Sequence, residues 1–108
     1  MSTTAPDRLT PVDHELLRLL ADPLRARIVD LLAIEQLCTC HLVEATGAGQ
    51  SNVSNHLRAL RSAGIIAAEP AGRFTYYRLL PEPLLALSGR LAALAALAAA
   101  STDVKRPC

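Results

Sequence analysis

Aromatic residues and cysteines are scarce in this sequence, and both shortages narrow the classes of protein to which it can belong. Its 108 residues include two tyrosines, one phenylalanine and no tryptophan. A core of that composition is built from leucine, alanine and isoleucine, which favours helices over a large catalytic pocket. The three cysteines do not suit the disulfide framework of a small secreted domain, so we expect free thiols. Residues 1–8 lack the basic and apolar regions of a signal peptide, which predicts a cytoplasmic protein.

A large excess of charge of one sign is also absent, although the charges are unevenly distributed. Eleven basic and ten acidic residues give a formal net charge of +1, and 51% of the residues are apolar, enough for one compact domain. Residues 50–80 hold four arginines against the single carboxylate of Glu69, whereas residues 1–49 hold four arginines and seven carboxylates. The sequence therefore predicts a basic surface that is confined to 50–80.

Apolar residues recur at helical spacing in four stretches, and cap and stop signals mark a fifth, shorter one, so we expect five helices. The second helix has the clearest start, because Asp22 can cap it and Pro23 fits the first helical position, where a missing N–H costs nothing. Gly47 supplies the left-handed stop of a short third helix over about 40–46. The residues expected to cap the first four helices are Asp13, Asp22, Thr39 and Ser51.

A β-hairpin and a long apolar helix follow the fourth helix, which ends at Gly64. The hairpin pairs 65–69 with 74–79 through a turn at 70–73, and its second strand contains all three aromatic residues. The last helix begins after Pro81 and carries a stripe of leucines: Leu84, Leu87, Leu91 and Leu94. Because this helix is apolar almost all round and the domain is too small to cover it, we expect a symmetric dimer and no membrane span.

The third helix, a short turn, the fourth helix and the hairpin follow one another in the order of a winged helix-turn-helix. The predicted fold is therefore mainly α with a β-hairpin, and it dimerises through its terminal helices. We expect this DNA-binding and dimerisation domain to occupy residues 11–100. A flexible segment at 1–10 should precede it, and a flexible segment at 101–108 that carries Cys108 should follow it.

The exposed face of the fourth helix has the side chains of a DNA-recognition helix. Short amide and hydroxyl groups suit base edges in the major groove, and arginines there and at the hairpin tip suit the DNA backbone. The candidate DNA-binding residues are Gln50, Ser51, Asn52, Ser54, Asn55, Arg58 and Arg73. Such a face could simply be solvated, but asparagine is disfavoured in helix interiors, so Asn52 and Asn55 favour the DNA-binding interpretation. His56 neighbours the apolar Leu57 and is expected to pack or to position the helix.

Three parts of the sequence resemble the ArsR/SmtB family of winged-helix metal-sensing repressors. They are Asp22–Ile28, the run Gln50–Leu60, and the hairpin end Tyr76–Leu79. The resemblance implies a homodimer that represses an operon until a metal or metalloid weakens its hold on double-stranded operator DNA. It also implies that the DNA-contacting positions of the recognition helix are Gln50, Ser51, Ser54 and Asn55. Dimer symmetry predicts an operator that is an imperfect palindrome, with half-sites about 10 base pairs apart or a multiple of that.

The segment Leu37–Leu42 resembles the cysteine motif of the arsenic-sensing and cadmium/lead-sensing branches of that family. Cys38 and Cys40 stand at a helix N-terminus, where the helix dipole and free N–H groups favour the thiolate, and thiolates select soft ions. Some arsenic sensors have a third cysteine where this chain has Val43, so the third ligand must come from elsewhere. The predicted metal ligands are Cys38, Cys40 and Cys108, with His41 as the alternative to Cys108. The predicted inducer is As(III) or Sb(III), with Cd(II) or Pb(II) second.

Other interpretations of the cysteines stay open from the sequence. Cys38 and Cys40 could be buried apolar residues, or they could form a redox or organic-thiol-reactive switch in a DNA-binding dimer. Cys108 could be an incidental terminal residue. A small thiol enzyme or metal carrier is a further interpretation. The sequence lacks a Cys-x-x-Cys motif and a convincing acid/base pair, so we do not expect an enzyme.

Overall fold

In the computed structural model, which describes residues 8–108, α3, α4 and a β-hairpin form a winged helix-turn-helix within a five-helix fold. The helices are α1 (Pro11–Leu20), α2 (Pro23–Leu32), α3 (Thr39–Thr46), α4 (Gln50–Ser62) and α5 (Pro81–Ala100). The strands are β1 (Leu37–Cys38), β2 (Ile66–Ala71) and β3 (Phe74–Leu79). The predicted fold class is therefore confirmed. The flexible segment predicted at 1–10 lies mostly outside the described residues.

The core forms where α1, α2, α3 and α4 turn their apolar faces toward one another. Ile28 of α2, Leu42 of α3, and Val53 and Leu60 of α4 are completely enclosed. Burying a side chain of this size is worth about 1.5–3 kcal/mol relative to leaving it exposed. The shared core therefore fixes the first helix of the helix-turn-helix firmly against the second.

The start of α2 is as predicted, whereas the start of α1 differs. At α2, Asp22 Oδ2 accepts the backbone N–H of Arg25 at 3.0 Å, and Pro23 takes the first helical position. The predicted cap of α1, Asp13, is wrong, because Thr10 caps the helix and Asp13 is its third residue. Thr10 Oγ1 accepts the N–H of Asp13, and Asp13 Oδ2 accepts the N–H of Thr10, so the two residues form a reciprocal capping box.

The predicted caps of α3 and α4 are also wrong, because each helix begins before the expected residue. Cys38 caps α3 in place of Thr39, since the pairing of β1 with β3 holds Cys38 extended and Thr39 is already helical. Gly49 caps α4 in place of Ser51, which lies inside the first turn. Gly47 ends α3 with φ of +74°, the left-handed conformation that its sequence position predicted.

The wing belongs to a three-stranded antiparallel sheet with the order β1-β3-β2, of which β1 was not predicted. The two residues of β1 pair with β3, and Cys38 lies opposite Tyr76. Strand β2 runs two residues further than expected, through Pro70 to Ala71. Pro70 is tolerated there because β2 is an edge strand, where a missing N–H does not interrupt the sheet.

α5 contacts the rest of the subunit through the buried Leu87, the half-buried Leu84 and one ion pair. Arg90 Nη2 donates to Asp13 Oδ1 at 2.7 Å, and Arg90 Nε donates to Asp13 Oδ2. Leu91 stays 43% exposed, and residues 95–100 are all exposed. By length and composition alone α5 could cross a membrane. In a single subunit it leaves a long apolar surface uncovered.

Candidate metal centre and nucleic-acid interface

Cys38 and Cys40 come together at the start of α3. Cys38 ends β1 and caps α3, whereas Cys40 is the second residue of that helix. Their Sγ atoms lie 2.7 Å apart, with Cys38 buried and Cys40 exposed. The pair therefore offers two adjacent sulfur donors at a point that an ion can reach from solvent.

The two thiols differ in acidity because one donates a hydrogen bond to the other. Burial raises the pKa of Cys38, but the Cys40 thiol and the backbone N–H groups of His41 and Cys40 more than offset this effect, so the pKa falls below its ordinary value. The pKa of Cys40 is raised, chiefly because its S–H donates to Cys38. Cys38 is therefore the first thiolate of the pair, as expected for a sulfur at a helix N-terminus.

His41 lies beside the cysteine pair and helps to cap the same helix. Its Nδ1 accepts the backbone N–H of Cys38 at 3.2 Å and lies 3.3 Å from Cys38 Sγ. Within residues 8–108, Cys38, Cys40 and His41 are the group of potential ligands whose donor atoms all lie within 4.8 Å of one another. Thiolate and imidazole donors suit soft and borderline ions, so this donor set fits the predicted class of ligand.

Cys108 is not part of this group within one subunit. It is an exposed residue of the segment 101–108 that follows α5. Its role as the third ligand stays a prediction, which requires this segment to approach the cysteine pair in the same or a second subunit.

α4 presents its polar side chains on the side opposite to the core. The predicted DNA-binding residues on this helix are exposed, apart from the half-buried Ser54: Gln50, Ser51, Asn52, Asn55 and Arg58. Arg58 Nη1 donates to Asn55 Oδ1 at 3.1 Å, which orders two of these side chains on one surface. Their contacts with DNA stay a prediction.

His56 lies on the inner side of α4, where residues of α2 and its cap hold it. Its Nδ1 is 3.1 Å from Arg25 Nη1, and its Nε2 is 3.7 Å from Asp22 Oδ2. The same arginine donates through Nε to the carbonyl oxygen of Leu19 at 2.8 Å. This placement agrees with the expectation that His56 packs and positions the helix. Nothing in the sequence singles out Arg25, apart from its place three residues after a helix cap.

An open groove of about 320 Å³ joins the cysteine pair to both predicted DNA-binding elements. It is lined by Cys38 and Cys40, by Gln50 at the start of α4, and by Arg73 at the hairpin turn. Backbone pairing adds a second link, since Cys38 pairs with Tyr76 of β3. A ligand on the two sulfurs would therefore adjoin the recognition helix and the wing at once.

A polar recognition helix, a wing with an arginine at its tip, and thiols at the start of α3 define a winged helix-turn-helix regulator with a candidate ligand site. Residues 22–68 match the family model described as bacterial regulatory protein, arsR family. Together with the relatives reported next, this match shows that the chain belongs to the ArsR family of bacterial regulatory proteins.

Two curated relatives show how far the similarity extends. The arsenic resistance transcriptional regulator ArsR1 of Pseudomonas putida is 47% identical over 64 residues, which cover 58% of this chain and 50% of ArsR1. The chain thus spans about half the length of that relative. The HTH-type transcriptional regulator CmtR of Mycobacterium bovis is 35% identical over 91 residues, covering 84% of this chain and 74% of CmtR. Both relatives are transcriptional regulators.

Two solved structures share the fold. A crystal structure of a possible transcriptional regulator for arsenical resistance superposes with a TM-score of 0.67 at 32% identity, covering 85% of this chain and 98% of that one. The solution structure of a homodimeric winged helix-turn-helix domain from Mycobacterium bovis, a possible ArsR-family regulator, gives a TM-score of 0.63 at 27% identity. It covers 89% of this chain and 88% of the other.

Proposed function

We propose that this protein is a metal- or metalloid-responsive transcriptional repressor of the cytoplasm. It binds operator DNA as a homodimer and releases it when As(III) or Sb(III) binds to cysteine thiolates. The observation that carries this proposal is the groove lined at once by Cys38, Cys40, Gln50 and Arg73. Because the thiols and the DNA-binding elements share one surface, occupation of the thiols bears directly on how DNA is held.

DNA recognition divides between base contacts from α4 and backbone contacts from arginines. Gln50, Asn52 and Asn55 carry amides that can bond an adenine edge with two hydrogen bonds. Arg58 and Arg73 are exposed cations that can contact phosphates or the minor groove. No side chain caps the first turn of α4, so its backbone N–H groups are available to a phosphate.

Dimerisation through α5 would cover the apolar surface that a single subunit exposes. Leu85 is 68% exposed and Leu97 is 47% exposed on this helix. The homodimeric structure from Mycobacterium bovis supports a homodimer for this chain as well. A two-fold axis then presents two recognition helices to an imperfect palindrome with half-sites about 10 base pairs apart, or a multiple of that. In this assembly α5 is an interface helix and not a membrane span.

Cys38 connects ligand binding with DNA binding because three roles meet in one residue. It carries one sulfur donor, it pairs with β3 of the wing, and it caps α3, which packs on the recognition helix. A bound soft ion supplies a cross-link between the sulfurs of Cys38 and Cys40. Any resulting shift of the Cys38 backbone acts on the wing and on α3 together. Release of DNA then requires that the ion prefer the conformation that fits DNA poorly.

Cys108 is the third donor that best completes the site. His41 lies closer, but its Nδ1 already accepts the backbone N–H of Cys38. Binding an ion through that nitrogen would leave the first turn of α3 without its capping partner. Three thiolates suit As(III) and Sb(III), and they also suit Cd(II) and Pb(II), which are the second choice of inducer.

The experiment is a titration of reduced, oxygen-free protein with arsenite, antimonite, cadmium and zinc, followed by thiolate charge-transfer absorbance. We expect saturation at one As(III) per subunit, abolished by Cys38→Ser and weakened by Cys108→Ser. His41→Gln is the matched control, because glutamine can keep the capping box while removing the imidazole. A thiolate band with cadmium alone would assign the site to the cadmium/lead class. Absence of any thiolate band would contradict ion sensing.

A thiol-redox switch is the second candidate function. The 2.7 Å separation of the two sulfurs favours it, because two thiols so close can be oxidised to a disulfide by a peroxide or a disulfide reagent. Under this alternative, oxidised protein loses operator DNA while reduced protein keeps it whatever soft ion is added. The two candidates thus differ in whether reduced protein responds to an ion.

A further inference from the structure

The recognition helix contacts α2 and its cap through one polar side chain, His56, which belongs neither to the predicted DNA-binding residues nor to the thiol site. His56 of α4 is 16% exposed at its side chain and lies between Arg25 and Asp22. Asp22 is itself fixed, because its carboxylate accepts the backbone N–H of Arg25 at 3.0 Å as the cap of α2. His56 thus has a hydrogen-bond partner on Nδ1 and a carboxylate near Nε2, on a helix whose buried residues are otherwise apolar.

The partners of His56 determine which of its nitrogens carries the proton. A guanidinium has only donors and stays charged, so Nδ1 at 3.1 Å from Arg25 Nη1 must be an unprotonated acceptor. The proton of the neutral ring is then on Nε2, which faces Asp22 Oδ2 at 3.7 Å. Moving that proton to Nδ1 would set an N–H against the guanidinium. The geometry therefore assigns one tautomer and one ring orientation.

Arg25 also connects this contact with the helices that carry the dimer interface. Its Nε donates to the carbonyl oxygen of Leu19 near the end of α1. At its other end, α1 is tied to α5 through the ion pair of Asp13 with Arg90. Helix α1 thus has a polar contact with α5 near its start and one with Arg25 near its end, and Arg25 in turn contacts His56 on the recognition helix.

We propose that Arg25 is a positioning residue, which sets the orientation of the recognition helix by holding His56 in its Nε2–H tautomer. This inference rests on the proposed DNA-binding function, because orientation matters when two recognition helices must meet two half-sites together. Arg25 itself is not one of the predicted DNA-binding residues. Its effect is on the orientation in which α4 meets DNA. A guanidinium suits this role because its separate nitrogens can donate to Leu19 and to His56 at the same time.

The test compares two substitutions of the same histidine. Asparagine in His56→Asn places an amide oxygen where Nδ1 was and keeps the acceptor for Arg25, whereas glutamine in His56→Gln places its polar atoms farther out. We expect His56→Asn to bind operator DNA within about twofold of the parent. His56→Gln and Arg25→Lys should bind about tenfold more weakly, the effect of one charge-assisted hydrogen bond. Arg27→Lys, an exposed substitution on the same helix, is the matched control.

Two further measurements separate positioning from simple loss of structure. The order of the variants by urea unfolding midpoint should differ from their order by DNA affinity. In the DNA-free protein, the ¹⁵N chemical shifts of the neutral His56 ring should show the proton on Nε2. A proton on Nδ1 in the parent, or equal DNA affinity of His56→Asn and His56→Gln, would overturn the proposal. If the parent binds no operator fragment, the proposed function fails, while the tautomer measurement still decides whether Arg25 holds His56 as described.

Discussion

Replacing Leu91 with glutamate should dissociate the proposed dimer while leaving each subunit folded. Leu91 lies on α5 and keeps 43% of its surface exposed in one subunit. Since full burial of a leucine is worth about 1.5–3 kcal/mol, covering the remainder in a dimer contributes roughly 1 kcal/mol per copy. Two-fold symmetry doubles that loss to about 2 kcal/mol, a factor of roughly 30 in the dimer Kd. The penalty for placing two carboxylates in an apolar interface adds to it.

Sedimentation equilibrium measures the effect directly as the dimer Kd of the Leu91→Glu protein. The matched control is Ile34→Glu, because Ile34 is 83% exposed after α2 and lies outside α5. This control should dimerise as the parent does, and circular dichroism should show both variants folded. A Leu91→Glu protein that dimerises as tightly as the parent would refute the assignment of α5 as the interface.

Three further predictions concern charge, pH and the thiolate site. Arg58→Gln should weaken binding to all DNA sequences alike and reduce the slope of log affinity against log salt by about 1, as measured by fluorescence anisotropy. The hydrogen bond from Arg90 lowers the pKa of Asp13 from 3.8 to about 2. The stability that Asp13 contributes should therefore be full above its unfolded pKa and be lost as the pH falls toward 2. As the pH falls from 3.8 toward 2, the urea unfolding midpoint of Arg90→Gln should therefore decrease less than that of the parent. In a Cys108→Ser background, Val43→Cys should tighten arsenite binding by about tenfold or more, measured by thiolate absorbance, since residues 40 and 43 share a helix face.

The helices and the helix-turn-helix were predictable because their signals are local. Helical spacing of leucines depends only on neighbours in sequence, and the cap at Asp22 with Pro23 after it acts within one turn. The left-handed stop at Gly47 is equally local. The cysteine pair could be located for the same reason, since two residues at the start of one helix must lie close together.

The features that could not be predicted depend on distant parts of the chain. The strand at Cys38 is two residues long and exists because β3 lies alongside it, so no local pattern marks it. Asp13 has the sequence signature of a cap, but Arg90, 77 residues further on, buries its carboxylate in an ion pair. The contact of Arg25 with His56 has no local sequence signal, because the two residues lie on different helices.

The most direct test of the account is the coupling between the thiolate site and operator DNA. Operator affinity would be measured by anisotropy with and without saturating arsenite, and arsenite affinity with and without saturating operator, all with reduced protein. The account predicts that arsenite weakens operator binding and that operator weakens arsenite binding by the same factor, with no coupling in Cys38→Ser. Arsenite that binds at Cys38 and Cys40 yet leaves operator affinity unchanged would contradict the central claim.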